Sequence, residues 1–170
     1  GLAGDALTDA DANIAIGYLA LSADTLGSKS VAIGQSALSS QNFDTATDTY
    51  NVAVGHAAGT SVTFGIANTI IGGLSGDALT EGNNNVAVGY NTLTADTKGD
   101  RNVAIGSAAL STQNFTTSTD SYNVAVGHGA GNQITTGIEN TIIGGLAGDA
   151  LTDADQNVAV GKSALSADTL

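Results

Sequence analysis

Two histidines, His56 and His128, are the only imidazoles in the 170-residue sequence, and imidazole is a common metal ligand. They stand in equivalent surroundings 72 residues apart, after Val-Ala-Val-Gly in both cases. One histidine per copy is too few for a metal within one chain, whereas three copies around a threefold axis supply three; the alternative is an ordinary turn histidine. Asp9 and Asp11, echoed by Asp153 and Asp155, have a spacing that suits Ca²⁺. The intervening copy reads Glu81-Gly82-Asn83 instead, and the glycine-rich nonapeptide of calcium-binding solenoids is absent. Asp5, Asp77 and Asp149, with Asp24, Asp96 and Asp168, recur in phase, as expected of turn residues that bond their own backbone. Gly72-Gly73-Leu74-Ser75-Gly76 lacks the lysine and following helix of a phosphate loop. Asn114-Phe115-Thr116 fits a glycosylation sequon, but its counterpart Asn42-Phe43-Asp44 does not. No nucleophile, base and acid form a set, so the expectation is a non-enzyme with no catalytic residue, no cofactor and no assigned metal site.

Whatever positions these residues must be built from small apolar side chains. Hydrophobic residues make up 42% of the chain but aromatics only 4%, with 23 glycines and no Trp, Met, Cys or Pro. Charged residues are only 12%, which together with many β-branched residues argues for order. The net charge of -12 opposes binding to nucleic acid or anionic membranes. No apolar run approaches the roughly 20 residues of a membrane span. The sequence has no Met and no secretory leader pattern at its start, and it reads as a piece of a longer protein.

Self-similarity sets the architecture. Gly1-Leu2-Ala3-Gly4-Asp5-Ala6-Leu7-Thr8 returns as Gly73-Leu74-Ser75-Gly76-Asp77-Ala78-Leu79-Thr80 and as Gly145-Leu146-Ala147-Gly148-Asp149-Ala150-Leu151-Thr152. The chain is therefore two full copies, 1–72 and 73–144, and a partial third, 145–170, in one continuous array. Within each copy runs a shorter unit, Asn-x-Ala-x-Gly. It begins at Asn13, Ser30, Asn51, Asn68, Asn85, Asn102, Asn123, Asn140 and Asn157, and closes at Gly17, Gly34, Gly55, Gly72, Gly89, Gly106, Gly127, Gly144 and Gly161.

Spacings of 17 and 21 residues each suit one coil of an all-β, parallel β-solenoid, with room for two strands of about 5 residues and two turns. At about 4.8 Å per coil, nine coils make a rod about 40 Å long, and each copy advances about 19 Å. Recurrent Asn at one phase suits a ladder of amides bonded above and below, or simply a turn residue. Alternation along Asn51-Val52-Ala53-Val54-Gly55 puts Val52 and Val54 on one face and Ala53 on the other. The expectation is that the β-branched pair fills the thin interior. The row Ala15, Ala32, Ala53, Ile70, Ala87, Ala104, Ala125, Ile142 and Ala159 then faces another chain.

Ser30-Val31-Ala32-Ile33-Gly34 and Asn102-Val103-Ala104-Ile105-Gly106 resemble the head repeat of trimeric autotransporter adhesins. Asn85-Val86-Ala87-Val88-Gly89-Tyr90-Asn91-Thr92-Leu93-Thr94-Ala95-Asp96-Thr97 is similar to repeats in bacteriophage tail-fibre proteins. The resemblance implies a left-handed β-roll, a homotrimer, and a place in an extracellular, cell-surface or virion fibre. The leading expectation is a structural rod segment. The alternative is a carbohydrate-binding head; ice binding is disfavoured because Thr, as at Thr69 against Val52, lies at scattered phases.

The 21-residue coils carry four extra residues and two aromatics each. Phe43, Asp48 and Tyr50, with Phe115, Asp120 and Tyr122, are the candidate surface contacts for cell-surface glycans. The competing expectation is that the aromatics fold back over the strand edge as a clasp.

Overall fold

The computed structural model describes residues 1–167, so Asp168 lies outside the described residues. In chain order the strands are β1 (Ile14–Ile16), β2 (Gly27–Ser28), β3 (Val31–Ile33), β4 (Thr47–Asp48), β5 (Val52–Val54), β6 (Thr69–Ile71) and β7 (Val86–Val88). They continue as β8 (Gly99–Asp100), β9 (Val103–Ile105), β10 (Thr119–Asp120), β11 (Val124–Val126), β12 (Thr141–Ile143) and β13 (Val158–Val160). The nine three-residue strands stack in the order β1-β3-β5-β6-β7-β9-β11-β12-β13, every neighbour parallel. Alanine pairs with alanine, or with Ile70 or Ile142, along the whole ladder. The chain is all-β among its described residues, a parallel β-solenoid of about nine turns.

Each strand ends where its closing glycine turns the chain. At Gly34 φ is 130° and a Cβ would lie 2.3 Å from the carbonyl oxygen of Gly55 in the next coil, so any side chain would break the stack. The rest of the coil differs from the expectation of two five-residue strands. It holds one three-residue strand, a two-residue strand in some coils (β2, β4, β8, β10), and tight turns. The physical reason lies in recurring left-handed residues. Leu21, Leu38, Leu93 and Leu110 have φ of 48–52°, and Lys29, Tyr50, Arg101 and Tyr122 have φ of 49–62°. Each costs about 1–2 kcal/mol and is held because the neighbouring coil repeats the same bend.

The faces of the ladder are the reverse of the expectation. Ala32, Ala53, Ile70, Ala87, Ala104, Ala125 and Ile142 are buried inside the coil, whereas Ile14, Ile16, Ile71, Ile105, Ile143, Val158 and Val160 are exposed. The interior is already filled from the opposite wall by Leu21, Leu38, Val62, Leu79, Leu93, Leu110, Ile134 and Leu151, so only Ala fits beneath most strands. Ile70 and Ile142 fit because Gly76 and Gly148 stand opposite them. A Cβ on Gly76 would approach Ile70 to 3.4 Å, and one on Gly148 would approach Ile142 to 3.0 Å.

The asparagines of the column, buried from Asn51 to Asn140 and half-buried at Asn13 and Asn157, staple coil to coil through the backbone. Asn51 Oδ1 accepts the Asn68 N–H (2.9 Å) while its Nδ2 donates to the Gly65 carbonyl (2.7 Å). Asn68, Asn85, Asn123 and Asn140 repeat this pair of bonds onto the following coil. Asn13 does the same to Ser30 N–H and the Gly27 carbonyl. From one asparagine of the column to the next, direct amide-to-amide bonds join Asn102 to Asn85 and Asn157 to Asn140, each 3.1 Å. The ladder is thus one of side chain to backbone.

Candidate functional site

The four-residue extension is anchored from beneath by a buried carboxylate. Asp24, in the preceding coil, accepts the backbone N–H groups of Gly27 (3.0 Å) and Phe43 (3.2 Å) and the Gln41 side-chain amide (2.5 Å). Gln41 in turn accepts Asn51 Nδ2 at 2.9 Å, tying the extension to the strand that follows it. The second copy repeats the clasp. Asp96 accepts from Gly99, Phe115 and Gln113, and Gln113 accepts from Asn123. Burial pushes the Asp96 carboxyl above its ordinary value, opposed by the hydrogen bonds of Gln113 and the backbone. Asp24 and Asp96 thus bond backbone, as turn aspartates should. Their partnership with Gln41 and Gln113 was not foreseen, although polar residues at the phase of Val62, Leu79, Ile134 and Leu151 are a signal for it.

Of the six candidate contact residues, two face inward. Phe43 and Phe115 are only 6% and 7% exposed, so these rings pack against the coil as a clasp and offer no face to a sugar. Phe43 meets Phe64 edge-on at 5.9 Å, and Phe64, which was not singled out from the sequence, is the exposed ring of the pair. Its counterpart in the second copy is Thr136.

Asp48, Tyr50, Asp120 and Tyr122 do reach solvent but are already engaged. Lys29 donates to both Asp48 and Tyr50 and lies 5.1 Å from the Tyr50 ring centre. Its hydrogen bond to Asp48, then that to Tyr50, raises the lysine above its ordinary value, and the same bond lowers Asp48. Arg101 pairs with Asp120 and lies over Tyr122 in the second copy. The arrangement fastens the extension to the coil before it, though surface pairs of this kind contribute little to stability.

Thr residues prove more regular than expected. Thr8, Thr63, Thr80 and Thr135 each donate a hydroxyl to the carbonyl of the next threonine in one column, at 3.0–3.1 Å. Thr97 bonds Asn114 and the Phe115 carbonyl. One column is thus regular, while other threonines, such as Thr69 beside Val52, lie at different phases. The column sits in a turn, however, with its hydroxyl protons committed to backbone carbonyls of the following coil.

The largest unengaged feature is the outer face of the nine-stranded sheet. Two β-branched columns run its length, from Ile14 and Ile16 to Val158 and Val160, most exposed at the ends and half-buried in mid-rod except for the exposed Ile71, Ile105 and Ile143. One flank carries Lys29, Tyr50, Arg101, Tyr122 and Glu139, and the other Tyr18, His56, Tyr90 and His128. Among the described residues there is no pocket and no intrachain group of three His, Asp or Glu able to hold a metal. No helix there is long and apolar enough to cross a membrane. Comparison with protein-family models, curated proteins and solved structures found no match to this chain.

Proposed function

We propose that the chain is a passive rod segment of a homotrimeric fibre, displayed outside a cell or on a virion, with each β-roll left-handed. The threefold assembly, the handedness and the location rest on the resemblance of the Asn-x-Ala-x-Gly units to adhesin heads and phage tail fibres. The observation that carries the reading is the double β-branched column, an apolar strip about 40 Å long with polar and aromatic rims. Contiguous exposed apolar surface of that kind marks a contact site, and a strip that runs the full length of a rod suits another rod. Catalysis has no part in this reading. The test is mass in solution at micromolar concentration: three times the 16.6 kDa of one chain is expected, and a monomer overturns the trimer.

A second reading, a glycan-binding head, is favoured by one observation: the exposed Phe64 ring is braced by Phe43. A braced aromatic ring exposed to solvent suits a sugar ring. A glycan array with the wild type and Phe64→Ala checks it. Binding lost in the variant supports it, and no binding by either protein removes it.

A further inference from the structure

Nearly every glycine in the described rod is demanded by the chain itself. Those that close the strands have φ of 122–144°. Gly4, Gly59, Gly76, Gly129, Gly131 and Gly148 have φ of 51–64°. Gly27, Gly65, Gly82, Gly99 and Gly137 leave less than 3 Å between a notional Cβ and a neighbouring atom. Gly1, Gly73 and Gly145 are different. They have no left-handed φ, and a Cβ on Gly73 would make only ordinary contacts, 3.8 Å to the Tyr90 ring and 4.0 Å to the His56 carbonyl. A Cβ on Gly145 would meet only the His128 carbonyl, at 4.0 Å.

Gly73 and Gly145 follow His56 and His128 directly along the stack, as the Leu74 N–H to His56 carbonyl bond (3.0 Å) and the Leu146 N–H to His128 carbonyl bond (2.9 Å) show. Both imidazoles are exposed, immediately past the glycine that ends the β-branched strand. The next coil therefore places no side chain above the backbone of either histidine, although a methyl there would make only ordinary contacts. Glycine without an internal cause marks close approach from outside.

We propose that assembly completes a transition-metal site at each level, with three His56 imidazoles around one ion and three His128 imidazoles around a second. This rests on the trimer proposed above. One chain supplies a single ligand per level, so the site does not exist without the partner copies. Nitrogen ligands in threes suit Zn²⁺ or Ni²⁺, with open positions left for water. The two ions would lie about 19 Å apart along the rod by strand spacing, too far to share ligands.

The experiment is titration of the purified chain with ZnCl₂ and with NiCl₂, read by calorimetry, alongside its mass in solution. Two ions per three chains are expected. His56→Ala and His128→Ala should each leave one ion, and the double variant none, with the trimer mass unchanged in all three. Gly73→Ala, whose added methyl the chain tolerates, should keep the solenoid's circular dichroism and weaken the first site at least several-fold. A trimer that binds no metal, or binds one ion per imidazole, overturns this inference alone. A monomer overturns the trimeric reading and this site with it.

Discussion

Coils with Leu21 or Leu38 at the inner turn carry Asp24 or Gln41 three residues later, whereas coils with Gly59 or Gly76 there carry Val62 or Leu79. The second copy repeats the exchange, with Leu93 and Asp96, Leu110 and Gln113, then Gly131 and Ile134, Gly148 and Leu151. All of the second members are buried, the polar ones of the clasp included. A leucine at the first position occupies the space that an aliphatic side chain takes from the second in the other kind of coil. The polar member is confined to the coils that bracket the extension, because only there do extra backbone N–H groups reach the interior. Volume is conserved along the rod, and polarity follows the supply of donors.

Putting a carboxylate into the wrong kind of coil should break this contrast most severely. Leu79→Asp loses apolar packing worth about 2–5 kcal/mol and buries a charge without donors, so loss of cooperative unfolding in chemical denaturation is expected. The reverse change, Asp24→Leu, strands the N–H groups of Gly27 and Phe43 and the Gln41 amide. It should cost about 3 kcal/mol and raise hydrogen exchange selectively over residues 42–49. Asn68→Ala touches neither interior type. It orphans the Asn85 N–H and the Gly82 carbonyl and should cost about 2 kcal/mol.

Acid sharpens the comparison further. Because the Asp96 carboxyl is raised in the fold, the folded chain takes up that proton at higher pH than the unfolded chain. Its contribution to stability therefore grows as pH falls through the folded value and is complete below the unfolded one. Asp48, lowered by Lys29, has the opposite sign: its contribution is full above the unfolded value and disappears as pH falls through its folded one. Asp96→Asn removes the first effect and keeps the second. Denaturation midpoints of wild type and variant should therefore separate as the solution is acidified from neutral toward the carboxylate range, in favour of the wild type. Lys29→Ala, at a fully solvated pair, should leave the neutral midpoint unchanged within error while exposing Tyr50 to faster quenching.

The array was legible because repetition needs no physical model: Gly1, Gly73 and Gly145 mark it by themselves. The facing of the ladder was not, since Val52 and Val54 outweigh Ala53 in any argument from hydrophobicity alone. What decides the matter is volume on the opposite wall, supplied by Leu38 and Val62 from residues distant in sequence. The bends were hidden for another reason. Leu21, Leu38, Tyr50 and Arg101 adopt left-handed φ that such residue types do not advertise. At the extension, the aromatic phase was readable and its inward packing was a stated expectation, but the carboxylate beneath it looked like any turn aspartate. Phe64 went unnoticed because it lies one coil beyond the extension it braces.

The staples of Asn13, Asn51, Asn68, Asn85, Asn123 and Asn140 reach toward the following coil, with the acceptor and a donor of one amide committed in the same direction, while Asn102 turns its Nδ2 back to Asn85. The rod is therefore a vector. At these six levels a coil is sealed by the one before it and seals the one that comes next. During synthesis the growing end presents, at those levels, an open acceptor and an open donor set in register for a segment still to emerge, so closure there advances in the order of translation. Pulled from its two ends, the same rod would release its seals in sequence, each release freeing an amide on one side of the break and two backbone groups on the other.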